Sequence, residues 1–93
     1  MSYSVDFLPT ARRELGDLPE QARGLVWRRI VALGEDPRPP GFEPLRGNLR
    51  GFLRVREGDW RVVYRVDAKA RIVTVWEVGD RRRVYDDLKR RRP

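Results

Sequence analysis

Ninety-three residues carry 21 lysines and arginines against 14 aspartates and glutamates, a net charge of +7, and include neither cysteine nor histidine. That length suits one domain, residues 1–93, with one modest core. The missing residue types exclude disulfides, thiolate or imidazole metal sites and every Ser-His or Cys-His catalytic pair.

No apolar run nears the roughly 18 residues of a membrane span, and no signal-type hydrophobic block opens the chain, so a soluble, cytoplasmic protein is expected. The charge is uneven. Residues 1–45 hold six basic and seven acidic side chains, whereas residues 46–93 hold 15 basic and seven acidic, so the C-terminal half alone carries +8. Only Lys69 and Lys89 are lysine; the other 19 basic residues are arginine. A basic half-domain points to a polyanion, most often nucleic acid, and arginine favours bidentate phosphate contact and base stacking. An arginine-rich proteome explains arginine over lysine, but it leaves the split between halves unexplained.

In chain order, Tyr3, Val5 and Phe7 alternate with polar residues and predict a short strand. Pro9-Thr10 predicts a helix start with Thr10 as N-cap, and Gly16 and Pro19 end that helix early. Pro19 fits the first turn of a second helix, whose stripe of Ala22, Leu25, Val26, Ile30 and Leu33 runs to about Glu35. Asp36-Pro-Arg-Pro-Pro-Gly41 reads as a stiff loop. Three strands follow at about 52–56, 60–66 and 72–78, the first two joined by a Gly58-Asp59 turn. A short helix over 84–91 closes the chain, with a frayed basic tail from about Lys89. The order β-α-α-β-β-β-α predicts an α+β fold, with two N-terminal helices packed on a mainly antiparallel four-stranded sheet.

A two-residue turn at Gly58-Asp59 sets the register: Glu57 opposite Trp60, Arg56 opposite Arg61, Val55 opposite Val62, Arg54 opposite Val63. Alternation then sends Arg54, Arg56, Arg61 and Arg65 to one face, and Leu53, Val55, Val62, Tyr64 and Val66 to the helix face. Like charges facing each other across strands disfavour folding by up to about 1 kcal/mol, so the arginine face reads as an anion site. The alternative is a solvated face whose arginines pair with Glu57, Glu77 or Asp80. Just after the last strand, Gly79-Asp-Arg-Arg-Arg-Val-Tyr85 places Arg81 over the same face and brings Tyr85 within reach of it. Tyr85 is either a core aromatic or a group for stacking and proton transfer. No carboxylate cluster with ligand spacing occurs in the basic half, so no metal is expected. The terminal Lys89-Arg-Arg-Arg-Pro93 reads as a nonspecific nucleic-acid contact.

Tyr3-Ser-Val-Asp-Phe-Leu-Pro-Thr-Ala-Arg-Arg-Glu-Leu-Gly-Asp-Leu-Pro19, the Asp36-Pro37 break and Leu45-Arg-Gly47 resemble the RelE/ParE toxin superfamily of bacterial type II toxin–antitoxin systems. So do Arg54-Val-Arg-Glu-Gly-Asp-Trp-Arg-Val-Val-Tyr64 and Val78-Gly-Asp-Arg-Arg-Arg-Val-Tyr85, and together these segments cover nearly the whole chain up to the tail. The resemblance implies two helices over a twisted, mainly antiparallel sheet. It also implies an mRNA endoribonuclease (mRNA interferase) that cuts mRNA in the A site of the 70S ribosome without a cofactor. A cognate antitoxin would silence it, lying across the two helices or the sheet edge. By the same resemblance Arg54, Arg61, Arg81 and Tyr85 form the active site and Arg56 assists; Arg65, Arg82 and Arg83 are the remaining candidates for RNA contact.

Two positions depart from the family. Phe52 and Arg54 stand where many relatives have lysine, and Asp80 stands where many have His or Lys. Asp80 is therefore either a base or a partner that blunts Arg81, and Tyr85, Asp80, Glu57 or a group of the RNA or ribosome could take the proton. The ParE branch, described as inhibiting DNA gyrase, and a noncatalytic RNA-binding relative remain as alternatives.

Overall fold

The computed structural model describes residues 2–91. The chain runs β1 (Ser4–Phe7), α1 (Pro9–Gly16), α2 (Glu20–Leu33), β2 (Glu43–Pro44), a 3-10 turn (Gly47–Leu49), β3 (Leu53–Glu57), β4 (Trp60–Asp67), β5 (Ile72–Asp80) and α3 (Val84–Arg91). All strands join one sheet in the order β1-β5-β4-β3-β2. β1 runs parallel to β5, and the other neighbours are antiparallel. The α+β class stands, but the sheet has five strands rather than four. The addition is β2, which sets Glu43 opposite Arg54 and Pro44 opposite Leu53. Two residues are too few for alternation to reveal a strand.

Helix α1 begins at Pro9, two residues earlier than an N-cap at Thr10 predicts. Pro9 occupies the first turn, where its missing N–H leaves no bond unmade, and Leu8 is the N-cap. Pro19 caps α2 instead of joining its first turn. Val26, Ile30 and Leu33 recur at helical spacing and pack, with Ala11, Leu15 and Leu18, on Val55, Val62, Tyr64, Val73 and Val75 of the sheet. Each such aliphatic side chain contributes about 1.5–3 kcal/mol when fully buried. Tyr64 is completely buried, and its hydroxyl donates to the Pro37 carbonyl at 2.6 Å, pinning the proline-rich loop against the core. Burial pushes its phenol up to about 12.

The β3–β4 hairpin has the register set by its two-residue turn, with Arg56 opposite Arg61 and Arg54 opposite Val63. Gly58 takes φ +60°, a value a first turn position of this kind requires and glycine supplies without strain. Between β4 and β5 the register slips: Val63 pairs with Glu77 but Tyr64 pairs with Val75. Trp76 is thus an extra residue, a β-bulge that puts Trp76 and Glu77 on one side while Val75 and Val78 stay in the helix-side core.

The arginine face is not an open one. Helix α3 crosses it, burying Val84 and Leu88 against Leu49, Phe52 and Val63, with Trp76 and Tyr85 packed at the margin. The helix continues through Arg91, so Lys89 and Arg90 are part of it rather than a frayed tail. Arg92 and Pro93 lie outside the described residues. Among the described residues no helix is long and apolar enough to cross a membrane.

Candidate active site

Arg54 is the hub. From the middle of β3 its Nη1 donates to the Tyr85 hydroxyl on α3 at 2.9 Å, and its Nη2 pairs with the Glu43 carboxylate on β2. One guanidinium therefore holds a phenol and a carboxylate contributed by two other elements. Its side chain is 19% exposed, whereas the Glu43 side chain is 59% exposed and reachable from solvent.

Arg61, directly opposite Arg56, is buried at 6% exposure. Its Nη1 donates to the Gly58 carbonyl at 3.0 Å and the Trp60 carbonyl at 3.1 Å, which ties the side chain back onto its own hairpin. Burial, and then the like charges of Arg54 and Arg56, hold its guanidinium below the usual value; Tyr85 opposes this and Arg81 adds to it. Those causes also name its electrostatic neighbours, so Arg54, Arg56, Arg61, Arg81 and Tyr85 form one group. The Nε–H groups of Arg54 and Arg61 are both buried with no hydrogen-bond acceptor among the described residues. Buried donors are nearly always matched in folded proteins, so two unmatched ones side by side mark a place for a bound acceptor.

Asp80 sits in a turn. Its Oδ1 accepts the backbone N–H of Arg82 at 2.8 Å and of Arg83 at 3.1 Å, shaping the turn that leads into α3. Those two bonds, with the nearby Arg83 and Arg82 charges, hold its carboxyl below the usual range. Among the described residues it makes no ion pair with Arg81. Arg81 is exposed, and its backbone N–H donates to the Asp59 carbonyl at 3.2 Å, fastening the end of β5 to the hairpin. Arg82 lines a cleft of about 220 Å³ with Asp59, Asp80 and Arg81. Arg83 turns toward α1, into a cleft of about 280 Å³ that also holds Glu14, Asp17 and Trp60. Arg65 stands apart over Phe52 and Trp76.

The structure thus brings Arg54, Arg56, Arg61, Arg81 and Tyr85 together and leaves Arg65, Arg82 and Arg83 around the margins. Sequence reasoning missed Glu43. A usable signal existed: Glu43 is the sole acid between Asp36 and Glu57, set just before the arginine-bearing hairpin. Among the described residues no three carboxylates gather into a possible metal site.

Residues 5–85 match the family described as the ParE toxin of type II toxin–antitoxin systems, parDE. The chain is 36% identical over 87 residues to toxin RelG of Mycobacterium tuberculosis, covering 91% of this chain and 98% of that one. It superposes on a chain of the RelBE2 toxin–antitoxin complex of M. tuberculosis with a TM-score of 0.78 and 33% identity, covering 87% of this chain and all of the other. The isolated RelE toxin of E. coli gives a TM-score of 0.74 at 28% identity, with 97% and 98% covered. With family match, curated relatives and fold in agreement, the chain belongs to the RelE/ParE superfamily of type II toxin–antitoxin toxins.

Proposed function

We propose that this toxin is an mRNA endoribonuclease acting in the ribosomal A site, working by arginine electrostatics without a metal, and silenced by a cognate antitoxin. The observation that carries the reading is the buried Arg61 guanidinium beside Arg54, with both Nε–H groups unmatched. Like charges gathered in a poorly hydrated place raise the energy of the empty site, and an anion lowers it. A phosphodiester supplies that anion. The solved complexes of related toxins with RelB antitoxins support the partner.

In the reaction the 2′-oxygen of a ribose attacks the adjacent phosphorus in line. The 2′-O–P bond forms as the P–O5′ bond breaks, leaving a 2′,3′-cyclic phosphate and a 5′-hydroxyl. Arg61 and Arg54 meet the charge that grows on the equatorial oxygens, and Arg56 and Arg81 hold the flanking backbone. Arginine does not give up its proton, so proton transfer falls to the two groups Arg54 positions. The Glu43 carboxylate takes the proton of the 2′-hydroxyl, and the Tyr85 hydroxyl gives one to O5′.

The test is single-turnover cleavage of ribosome-bound mRNA by the full chain freed of its antitoxin. Cyclic-phosphate and 5′-hydroxyl termini are expected. Intact mRNA together with inhibited DNA supercoiling by gyrase would overturn the reading in favour of the ParE-like alternative.

A further inference from the structure

Arg65 is the one arginine of the sheet's α3 side that the proposed cleavage leaves unused, and its setting is built rather than incidental. Its guanidinium lies 4.9 Å over the Phe52 ring and 6.0 Å from the Trp76 ring, and those two rings meet edge to face at 5.0 Å. The bulge in β5 is what delivers Trp76 to that corner. On the remaining side is Gly51, at φ +100°, where a Cβ would stand 3.2 Å from the Arg65 Nη2. The backbone there is bare where the guanidinium needs room. No ion pair reaches Arg65 among the described residues, although the side chain is exposed. Alongside opens a recess of about 500 Å³ walled by Arg65, Trp76, Thr74 and Asp67 with Val66 and Ala68.

A cation held over two aromatic rings, exposed to solvent and without an ion pair among the described residues, is a candidate stacking surface. RNA-binding proteins stack unpaired bases on arginine planes in this way, and every base offers a suitable face. The Thr74 hydroxyl and the Asp67 carboxylate at the recess can meet donors on a base edge. Asp67 also keeps phosphate out of the recess, while exposed Arg50 and Lys69, in the chain segments on either side, attract the backbone. We infer that Arg65, Phe52 and Trp76 form a second RNA contact, a platform for one unpaired nucleobase. It is separate from the cleavage group. Four residues of β4 put Arg65 about 13 Å from Arg61, and α3 packs on Val63 between them. The base on the platform therefore belongs to a different stretch of RNA from the scissile phosphate. This inference rests on the proposal that RNA is the substrate.

The experiment measures binding of the full chain to a short unpaired oligoribonucleotide carrying 2′-O-methyl riboses, which lacks the attacking hydroxyl and cannot be cut. Arg65→Ala is expected to weaken binding about tenfold, the size of one lost stacking contact. Arg65→Lys, which keeps the charge and loses the plane, should weaken it nearly as much. Tryptophan fluorescence quenched on RNA addition should lose that response in Trp76→Phe. Wild-type affinity in Arg65→Ala, or full recovery in Arg65→Lys, overturns the platform, as does an effect of Arg65→Ala on antitoxin binding alone. If the wild-type chain cuts nothing while Arg65-dependent RNA binding persists, the ribonuclease reading fails and the platform stands. Purified ribosomes with and without mRNA identify the source of the base: weakened binding to empty ribosomes assigns it to ribosomal RNA, weakened binding only with mRNA to the message.

Discussion

On the α1–α2 side of the sheet the fully buried Tyr64 finds the Pro37 carbonyl for its hydroxyl, and Glu14 reaches across to accept the Val78 N–H at 3.0 Å. On the α3 side, strands of the same sheet carry Arg54 and Arg61, whose buried Nε–H groups meet no acceptor among the described residues. On the first face these two buried polar contacts are matched inside the chain, although the Arg29 Nε–H on α2 is not. The second retains unmatched donors and crowded like charges, an arrangement that lowers stability unless a ligand completes it. Stability and chemistry are therefore separable here by face, which mutations can challenge directly.

The sharpest challenge is to the pair held by Arg54. Glu43→Gln and Tyr85→Phe should each slow single-turnover cleavage by about 10²–10⁴-fold, the range for losing general acid–base help, with little change in thermal midpoint. Wild-type rate in Glu43→Gln would pass proton removal to Tyr85 or to the ribosome. Arg61→Ala should cost about 10²–10³ in rate, as for one lost transition-state donor. Calorimetry should show its midpoint unchanged or raised, because Arg54, Arg56 and Arg81 lose a like-charged neighbour.

Tyr64→Phe should behave in the opposite way. It leaves the Pro37 carbonyl unmatched and should remove about 1–3 kcal/mol of stability in urea denaturation, while cleavage by the folded fraction is untouched. Its pH signature has a definite sign. A phenol raised to about 12 contributes stability that is complete below its ordinary value near 10 and lost as pH climbs toward 12, and the phenylalanine variant should lack that alkaline loss. The smallest effect belongs to Asp80. Its depressed carboxyl stabilises the fold above the ordinary carboxylate range and ceases to as pH falls below about 4, so wild type and Asp80→Asn should converge in acid. A collapse of cleavage in Asp80→Asn at neutral pH would give Asp80 a part in the chemistry as well as in the turn.

Much of this was legible in the chain. The Gly58-Asp59 turn leaves one possible pairing for β3 and β4, so the facing of Arg54, Arg56 and Arg61 followed from alternation alone. Val84 and Leu88, four apart, carried the signal that the last helix has a buried side, although what it covers is a tertiary fact. β2 stayed hidden because two residues, one of them a proline, show no period, and the pairing that sets Glu43 beside Arg54 was hidden with it. The bulge left a trace: in Val73-Thr-Val-Trp-Glu-Val78 the alternation breaks at the consecutive apolar residues Val75 and Trp76, and pairing with β4 shows that one residue is surplus there.

That surplus residue gives β5 an unusual grammar of insertion and deletion. Losing Trp76 itself would straighten the ladder and leave Val62 opposite Val78 and Arg61 opposite Gly79, so the cleavage group would keep its frame while the aromatic corner under Arg65 disappeared. Losing Val78 instead, outside the bulge, would shift Gly79 and Asp80 by one position and invert their facing. A length polymorphism at this one position could therefore erase a contact with RNA and spare the chemistry, a separation that most single substitutions achieve less cleanly.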